Sequence, residues 1–525
     1  MAERLKLVPY PEKAEIFAGT LVCDALRICG KEEINGLKLA DLFSDYSINV
    51  SPRGVALDLS CDGSGDDEGY FLEISEEGIK ATAKSDRGLF YAVVTLVQLI
   101  RNYKGKLPCC RISDSPKTSY RGFMLDTGRY FFKKEDVLRL VDLCVLHKIN
   151  VLHLHLTEDQ GWRIEIDKYP LLAQKGSVRS HTNFGFKPHG GYYTKEDIKE
   201  MISYCNARNI EVIPEFDIPG HSQAAIACYP WLGCFGRQLE VATHSGVKHD
   251  ILCAGKESTY RFVFDVIDEL IGLFGKNTRY IHLGGDEAVK TRWKICPDCQ
   301  AAMKKLGLKT EDELQAHFMK RVAEYVVSKG YIPIMWNETD LSLPCHDNMV
   351  WQLWTTADGA VTTEEIVGAA CARGGLINSD SGYAYLDLPY ADISLEKSYE
   401  FASVPKGTDK GKSVGAEAAL WSEYVPDFKT ACKRTLPRLS ALAEKMWTGE
   451  GDFSEFKTRL EIFSEFLSDL GYKGASERQA SPGKVRAFFQ KIWFERRQLH
   501  WQGLHNLIDN AAVKRKYAAK GDKKC

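Results

Sequence analysis

Asp286 and Glu287 are adjacent acidic residues preceded by Gly284 and Gly285, and this tetrad is the sharpest chemical signal in the sequence. Successive side chains on a strand point to opposite faces, but where the strand ends and the chain turns, both carboxyls can reach one mouth. The two glycines permit a bulge or a close backbone approach that re-aims the side chains. Two carboxyls so placed cannot both ionise freely in a partly dry pocket. One of them is expected to keep its proton toward neutral pH, as a general acid requires.

Further acids and aromatics stand at the ends of other short apolar runs. In chain order these are Asp126 with Arg129, His155 with Glu158 and Asp159, and Glu215 with Asp217 before His221. They continue with Trp336 and Glu338, Trp354, then Tyr385 and Asp387 beyond Ser379-Asp380-Ser381, and finally Trp421 and Glu423. Taken singly, an Asp is a helix cap, a Trp is packing, and His221 is a satisfied loop histidine. Glu215 and Asp217 suit structural ligation of loop amides. Taken together, carboxylates interleaved with tryptophans are the chemistry of a sugar pocket: aromatic faces stack on a pyranose, carboxylates bind hydroxyls, and one carboxyl donates a proton. The ordinary glycosidase places its two carboxyls on opposite sides of the bond. An adjacent pair fits substrate assistance better, with one carboxyl orienting a substrate group and the other protonating the leaving oxygen.

These residues must be positioned by the elements they terminate. Strand patterns begin at Tyr120, Ile149, Ile210, Tyr280, Tyr331, Asn348, Gly374 and Val414. Amphipathic helical patterns fall between them. One places Val137, Leu140, Val141 and Cys144 on a face; a second, after Thr194 as N-cap, does so with Ile198, Met201, Ile202 and Cys205; a third uses Leu314, Phe318, Val322 and Tyr325. Strands alternating with helices imply parallel strands and right-handed crossovers. Eight such units predict an α/β fold, a closed (β/α)8 TIM barrel over residues 116–452, whose length suits the usual range of roughly 200 to 400 residues. An open doubly wound sheet is disfavoured because no G-x-G-x-x-G follows a strand. Residues 1–115 read as a small N-terminal α+β domain, with an acidic turn at 61–69 and a closing helix after Ser85. Residues 453–525 read as a helical C-terminal extension, with helices from Ser454 to Leu470 and from Lys484 to His500.

The run His282-Leu283-Gly284-Gly285-Asp286-Glu287 resembles the signature of family 20 glycoside hydrolases, the β-N-acetylhexosaminidases. The stretches Arg121–Arg129, His153–Trp162, Pro214–His221, Tyr385–Asp387 and Glu417–Glu423 resemble further family motifs in family order, and Gly88–Gln98 resembles the end of the family's first domain. The resemblance implies exo-acting, retaining hydrolysis of terminal β-linked N-acetylglucosamine or N-acetylgalactosamine through an oxazolinium intermediate. It implies Glu287 as general acid and base, Asp286 as the clamp on the 2-acetamido N–H, and Tyr385 as donor to the acetamido oxygen. By the same resemblance, Arg129, Asp387 and Glu423 bind hydroxyls, while Trp336, Trp354 and Trp421 wall the acetyl group and the ring. Glu158, where many relatives carry Asp, and His221 form a supporting pair near the acid.

Composition bounds the rest. Net charge is −2 and 27% of residues are charged, which gives no electrostatic case for nucleic acid or an anionic membrane. No apolar run is long enough to span a bilayer. The basic tail after Val513 reads as a solvated terminus. The start lacks the apolar core of a secretory signal, so a cytoplasmic location is expected. Expected partners are N-acetylhexosamine-containing glycans, no cofactor is called for, and nothing in the pattern fixes an oligomeric state. Sixteen cysteines are too few for a disulfide scaffold. Cys144, Cys205, Cys371 and Cys432 suit buried helix positions, and free thiols are expected for most. Cys296 and Cys299 form a C-x-x-C that suits a structural zinc site completed by two of Cys228, Cys234 and Cys253, a disulfide, or free thiols. Rival functions are disaccharide release in the manner of a lacto-N-biosidase, a catalytically silent sugar-binding barrel, and a retaining glycosidase with a covalent nucleophile. The loops at 160–195, 219–260 and 385–413 would set the pocket depth that the first of these needs.

Overall fold

The structure is a computed structural model that describes residues 4–62, 65–183, 185–338, 349–355, 363–409, 411–498 and 513. Eight parallel strands close into a barrel in chain order: β1 (Tyr120–Asp126), β2 (Val151–His155), β3 (Glu211–Glu215), β4 (Tyr280–His282), β5 (Ile332–Trp336), β6 (Met349–Leu353), β7 (Gly374–Asn378) and β8 (Ser413–Leu420). All eight strand patterns of the sequence are strands of this barrel. Three helices between them bury the apolar faces read from their spacing, except that Tyr325 on the third stays half-buried. Lys134–Leu146 buries Val137, Leu140, Val141 and Cys144, and Lys195–Asn206 begins in a capping box between Thr194 and Asp197. Thr310 caps Glu311–Ser328 in turn.

Side chains alternate in and out along each strand, so the barrel interior is built in layers. Tyr120, Val151, Ile213, Tyr280, Ile334, Val350 and Ile377 pack an apolar layer at the N-terminal end. Above it lies a fully buried polar layer. Glu417 accepts from Tyr120 Oη (2.6 Å), His153 Nδ1 (3.0 Å) and Gln352 Nε2 (2.5 Å). Glu215 faces His153 Nε2 (3.2 Å), His155 Nδ1 (2.5 Å) and His282 Nδ1 (3.1 Å). A buried charge is tolerated only when it is paired and hydrogen-bonded. Burial pushes both carboxyls up, but the facing histidines outweigh it and hold both below the usual range.

The N-terminal region is a six-stranded sheet backed by the helix Asp86–Asn102, capped by Ser85. Buried polar contacts dock it on the barrel. Asp114 meets Lys148 Nζ and Trp447 Nε1 at 2.9 Å each, and Glu68 meets Arg121 at 2.8 Å. Helix Phe453–Asp469 then ties the C-terminal part to the barrel through Arg459 and Glu444 (2.6 Å). A further helix is described over Lys484–Gln498; His500 lies outside the described residues, as does the basic tail from Lys514 onward. No helix among the described residues is long and apolar enough to cross a membrane. A depression of about 870 Å³ opens at the N-terminal end of the barrel, bordered by Tyr120, Val151, Glu211 and Tyr280. It lies at the end opposite the carboxylate ring, on the face that serves stability in such barrels.

Candidate active site

Beyond β4 the backbone makes an abrupt turn. Gly284, Gly285 and Glu287 have φ of +63°, +102° and +48°. A Cβ on Gly284 would stand 1.8 Å from Asp217 Oδ1, so the position takes only glycine. Four contacts pin the turn. Gly285 N donates to Asp217 Oδ1 (3.1 Å), Trp336 N donates to Gly284 O (3.0 Å), Gln315 Nε2 donates to Gly285 O (2.9 Å), and Glu287 N donates to Glu338 Oε2 (2.5 Å). The left-handed Glu287 costs roughly 1–3 kcal/mol, which these contacts offset. Asp286 is thereby buried, while the Glu287 side chain stays 37% exposed. Asp217 thus ligates a loop amide, the role its sequence position suggested. Glu215 does not: its partners are side chains, three histidines and Trp336 Nε1 (2.8 Å).

His221 follows β3 with φ +47° and joins two groups of acids. Its Nδ1 lies 2.7 Å from Glu158 Oε1; its Nε2 lies 3.5 Å from Glu287 Oε2 and 3.8 Å from Asp286 Oδ2. Glu158 also meets Arg129 Nη2 at 2.6 Å. Arg129 reaches Asp126 (3.1 Å) and Glu423 (3.2 Å), and its guanidinium sits 4.9 Å from the Trp421 ring. Asp126 holds the strand end itself by accepting from Gly128 N, Arg129 N and Ser422 N. One chain of contacts therefore runs from Glu423 through Arg129, Glu158 and His221 to the Asp286–Glu287 pair.

The aromatic residues form the opposite wall. Trp336, Tyr385 and Trp421 pack with Met124, Ile393 and Ala419, and Trp354 adjoins them. Trp336 and Trp421 are 5.7 Å apart at 45°, and Trp354 stacks on Tyr385 at 6.4 Å and 15°. Asn337 Oδ1 holds the backbone of Trp354 (2.9 Å). Asp387 and Glu423 stand within electrostatic reach of each other. The structure thus brings the eleven sugar-site candidates to one end of the barrel. Glu338 and Asn337 fix the Glu287 and Trp354 backbones; the sequence placed Glu338 among the strand-end acids without a role of its own, and Asn337 had no signal beyond adjacency to Trp336.

Electrostatics differentiate the carboxyls. Burial pushes Asp286 up to about 7, against the cation of His221 and with the charge of Glu287. Burial also raises Glu287, but the hydrogen bond and charge of His221 prevail and hold it below the usual range. The adjacent pair therefore splits, but the raised member is Asp286 and not Glu287, the acid that the resemblance implies. Burial pushes Asp387 up to about 7, aided by Glu423. Burial opposes the charged form of His221, yet Glu158 and Asp217 keep it protonated well above the ordinary range. Asp286 Oδ1, Asp387 Oδ1 and Trp354 Nε1 are buried and have no hydrogen-bond partner among the described residues. Polar atoms of this kind are the contacts a bound polar ligand completes.

The family profile "Glycosyl hydrolase family 20, catalytic domain" matches residues 119–450, and "Glycosyl hydrolase family 20, domain 2" matches residues 5–115. The chain belongs to glycosyl hydrolase family 20. Among similar proteins, a β-hexosaminidase of Porphyromonas gingivalis is 37% identical over 80% of this chain, and the match spans 56% of that protein's own length. A β-hexosaminidase of Akkermansia muciniphila is 32% identical, over 76% of this chain and 84% of its own. A mutant Streptomyces plicatus β-hexosaminidase solved with the product GlcNAc superposes with a TM-score of 0.80 at 30% identity, covering 90% of this chain and 97% of that one. As a member of family 20, the chain is a glycosidase that hydrolyses glycosyl bonds, with a TIM barrel behind a small N-terminal domain.

Proposed function

We propose that this enzyme is an exo-acting, retaining β-N-acetylhexosaminidase that removes terminal non-reducing β-linked N-acetylglucosamine or N-acetylgalactosamine by substrate assistance. The observation that carries the reading is the split Asp286–Glu287 pair: a buried Asp286 with a free Oδ1, beside a Glu287 open to solvent. In the free enzyme the proton of the pair rests on Asp286. A 2-acetamido N–H reaching Asp286 Oδ1 favours its ionised form, because a hydrogen bond to a carboxylate stabilises the charge. The proton of the pair then belongs on Glu287, which faces the solvent side where a leaving group departs.

Glu287 gives that proton to the glycosidic oxygen as the acetamido oxygen attacks the anomeric carbon. The bond to the leaving group breaks and an oxazolinium forms. Asp286 stabilises its positive charge, and Tyr385 donates a hydrogen bond to the acetamido oxygen. Glu287, now ionised, takes a proton from the water that opens the ring, which restores the starting state with retained configuration. The nucleophile is part of the substrate and so acts at very high effective concentration. Trp336, Trp354 and Trp421 wall the acetyl group and the ring, while Arg129, Asp387 and Glu423 take hydroxyls. Glu158 and His221 hold the acid in place.

The test is hydrolysis of an aryl N-acetyl-β-glucosaminide by Glu287→Gln and Asp286→Asn, with melting temperature as the control for folding. General acid–base assistance contributes about 10²- to 10⁴-fold, and each variant is expected to lose at least that much. Near-wild-type turnover by either variant overturns the assignment. Tight competitive inhibition by an N-acetyl-thiazoline supports the oxazolinium route against a covalent nucleophile.

A further inference from the structure

Four cysteines that the proposed reaction does not use meet beside the barrel mouth. Cys234 and Cys253 lie on the long loop after β3. Cys296 and Cys299 lie beyond β4, at the start of the helix Pro297–Leu306. Cys253, Cys296 and Cys299 are fully buried, and Cys234 is 9% exposed. The sulfurs of Cys234 and Cys299 are 3.9 Å apart, those of Cys253 and Cys296 3.7 Å, and those of Cys253 and Cys299 3.6 Å. All four lie within 4.8 Å of one another.

These separations discriminate among the chemistries open to a cysteine cluster. A disulfide needs about 2.05 Å, far shorter than any of them. Four thiolates held about 2.3 Å from a tetrahedral ion stand about 3.8 Å from one another, which is the spacing found. An all-sulfur, closed tetrahedral set is the donor chemistry of structural zinc. Cys296 precedes the first turn of a ten-residue helix and Cys299 lies within it, so one rigid element carries both sulfurs of the C-x-x-C. Cys228, a candidate on sequence spacing, is excluded: its sulfur instead meets the Leu171 carbonyl oxygen at 3.2 Å.

We propose that Cys234, Cys253, Cys296 and Cys299 bind one structural Zn²⁺. Binding exchanges the thiol protons for four S–Zn bonds and releases those protons to solvent, with no change of oxidation state. The site joins two loops that both carry catalytic-site residues, His221 on the first and the Asp286–Glu287 turn just before the second. Protein contacts already run between them. Trp293 Nε1 donates to Leu252 O (3.0 Å), and Arg292 Nη2 meets Asp250 Oδ2 (3.1 Å). Zinc would lock this seam because its four ligands come from both sides.

The experiment is elemental analysis of the full chain, purified reduced and without chelator. One zinc per chain is expected, retained by Cys228→Ser and lost by Cys296→Ser and Cys299→Ser. Exchange with Co²⁺ alone should produce the intense visible bands of tetrahedral tetrathiolate cobalt. Stripping the metal with a mercurial reagent should lower the melting temperature by at least about 5 °C. Where the serine variants fail to fold, zinc content and the cobalt spectrum of the unmutated protein decide. Reduced protein with no bound zinc and no cobalt bands, or with iron in its place, overturns the proposal.

Discussion

Replacing His221 by asparagine removes the cation that faces both candidate carboxyls while keeping a residue type that tolerates the left-handed backbone at φ +47°. The wild-type cation favours the ionised form of each carboxyl, so the neutral substitute must raise both. The imidazole Nε2 stands 3.5 Å from Glu287 Oε2. Coulomb's law at that separation yields about 5 kcal/mol at an effective dielectric constant near 20, and about 1 kcal/mol in water. The Glu287 carboxyl is 37% exposed, which places the screened interaction toward the lower end, about 1–2 kcal/mol. That corresponds to a rise of about one pKa unit. The assay is the pH dependence of kcat/KM on an aryl N-acetyl-β-glucosaminide, which reports the free enzyme's essential acid and base. Because the carboxyls titrate as a pair, both limbs are expected to move alkaline, by about one unit on the limb that Glu287 governs. A variant that loses rate while both limbs stay in place would show His221 acting through packing alone, with no electrostatic hold on the pair.

Two further outcomes follow from the same geometry. Gly284→Ala puts a methyl 1.8 Å from Asp217 Oδ1 at a φ of +63° and should cost roughly 3 kcal/mol or more, read by urea unfolding alongside loss of activity. Asp286 and Asp387, both raised by burial to about 7, make the fold bind protons that the unfolded chain releases. Their contribution is fully present below about pH 4 and lost as pH rises through about 7. Glu158, Glu215 and Glu417, all held low, act in the opposite sense below about pH 4.5. The melting temperature of the ligand-free enzyme should therefore peak in mildly acid solution and fall toward pH 8, with a shallower fall for Asp387→Asn. A melting temperature still rising from pH 6 to 8 contradicts this.

The alternation of β-branched runs with amphipathic stretches was sufficient to read all eight barrel strands and three of the helices between them, though not Glu257–Phe274 or Thr363–Arg373. Periodicity is a local property, and in this fold each local segment buries its apolar face against its immediate neighbours. The ring of acids and tryptophans was legible for a related reason: in a parallel barrel every strand end opens on the same mouth, so residues far apart in sequence converge wherever their strands stop. The order of Asp286 and Glu287 after two glycines was equally a property of the sequence. Which of the two keeps the proton was not, because that depends on how deeply each is buried and on the distance to His221, which comes from the loop after β3. Glu215 read as a ligand for loop amides, yet the barrel turns it toward three histidines and Trp336. Its partners sit on β2, β4 and β5, and no linear pattern encodes their distance. The same holds for the cysteines. The C-x-x-C at 296–299 was visible as a half-site with several fates, and only the folded loops bring Cys234 and Cys253 to it while leaving Cys228 against Leu171. Composition and spacing determined the barrel, its mouth and the chemistry available there; long-range packing decided the charge state of each acid and the company of each thiol, because desolvation and Coulomb terms are set by distance in space.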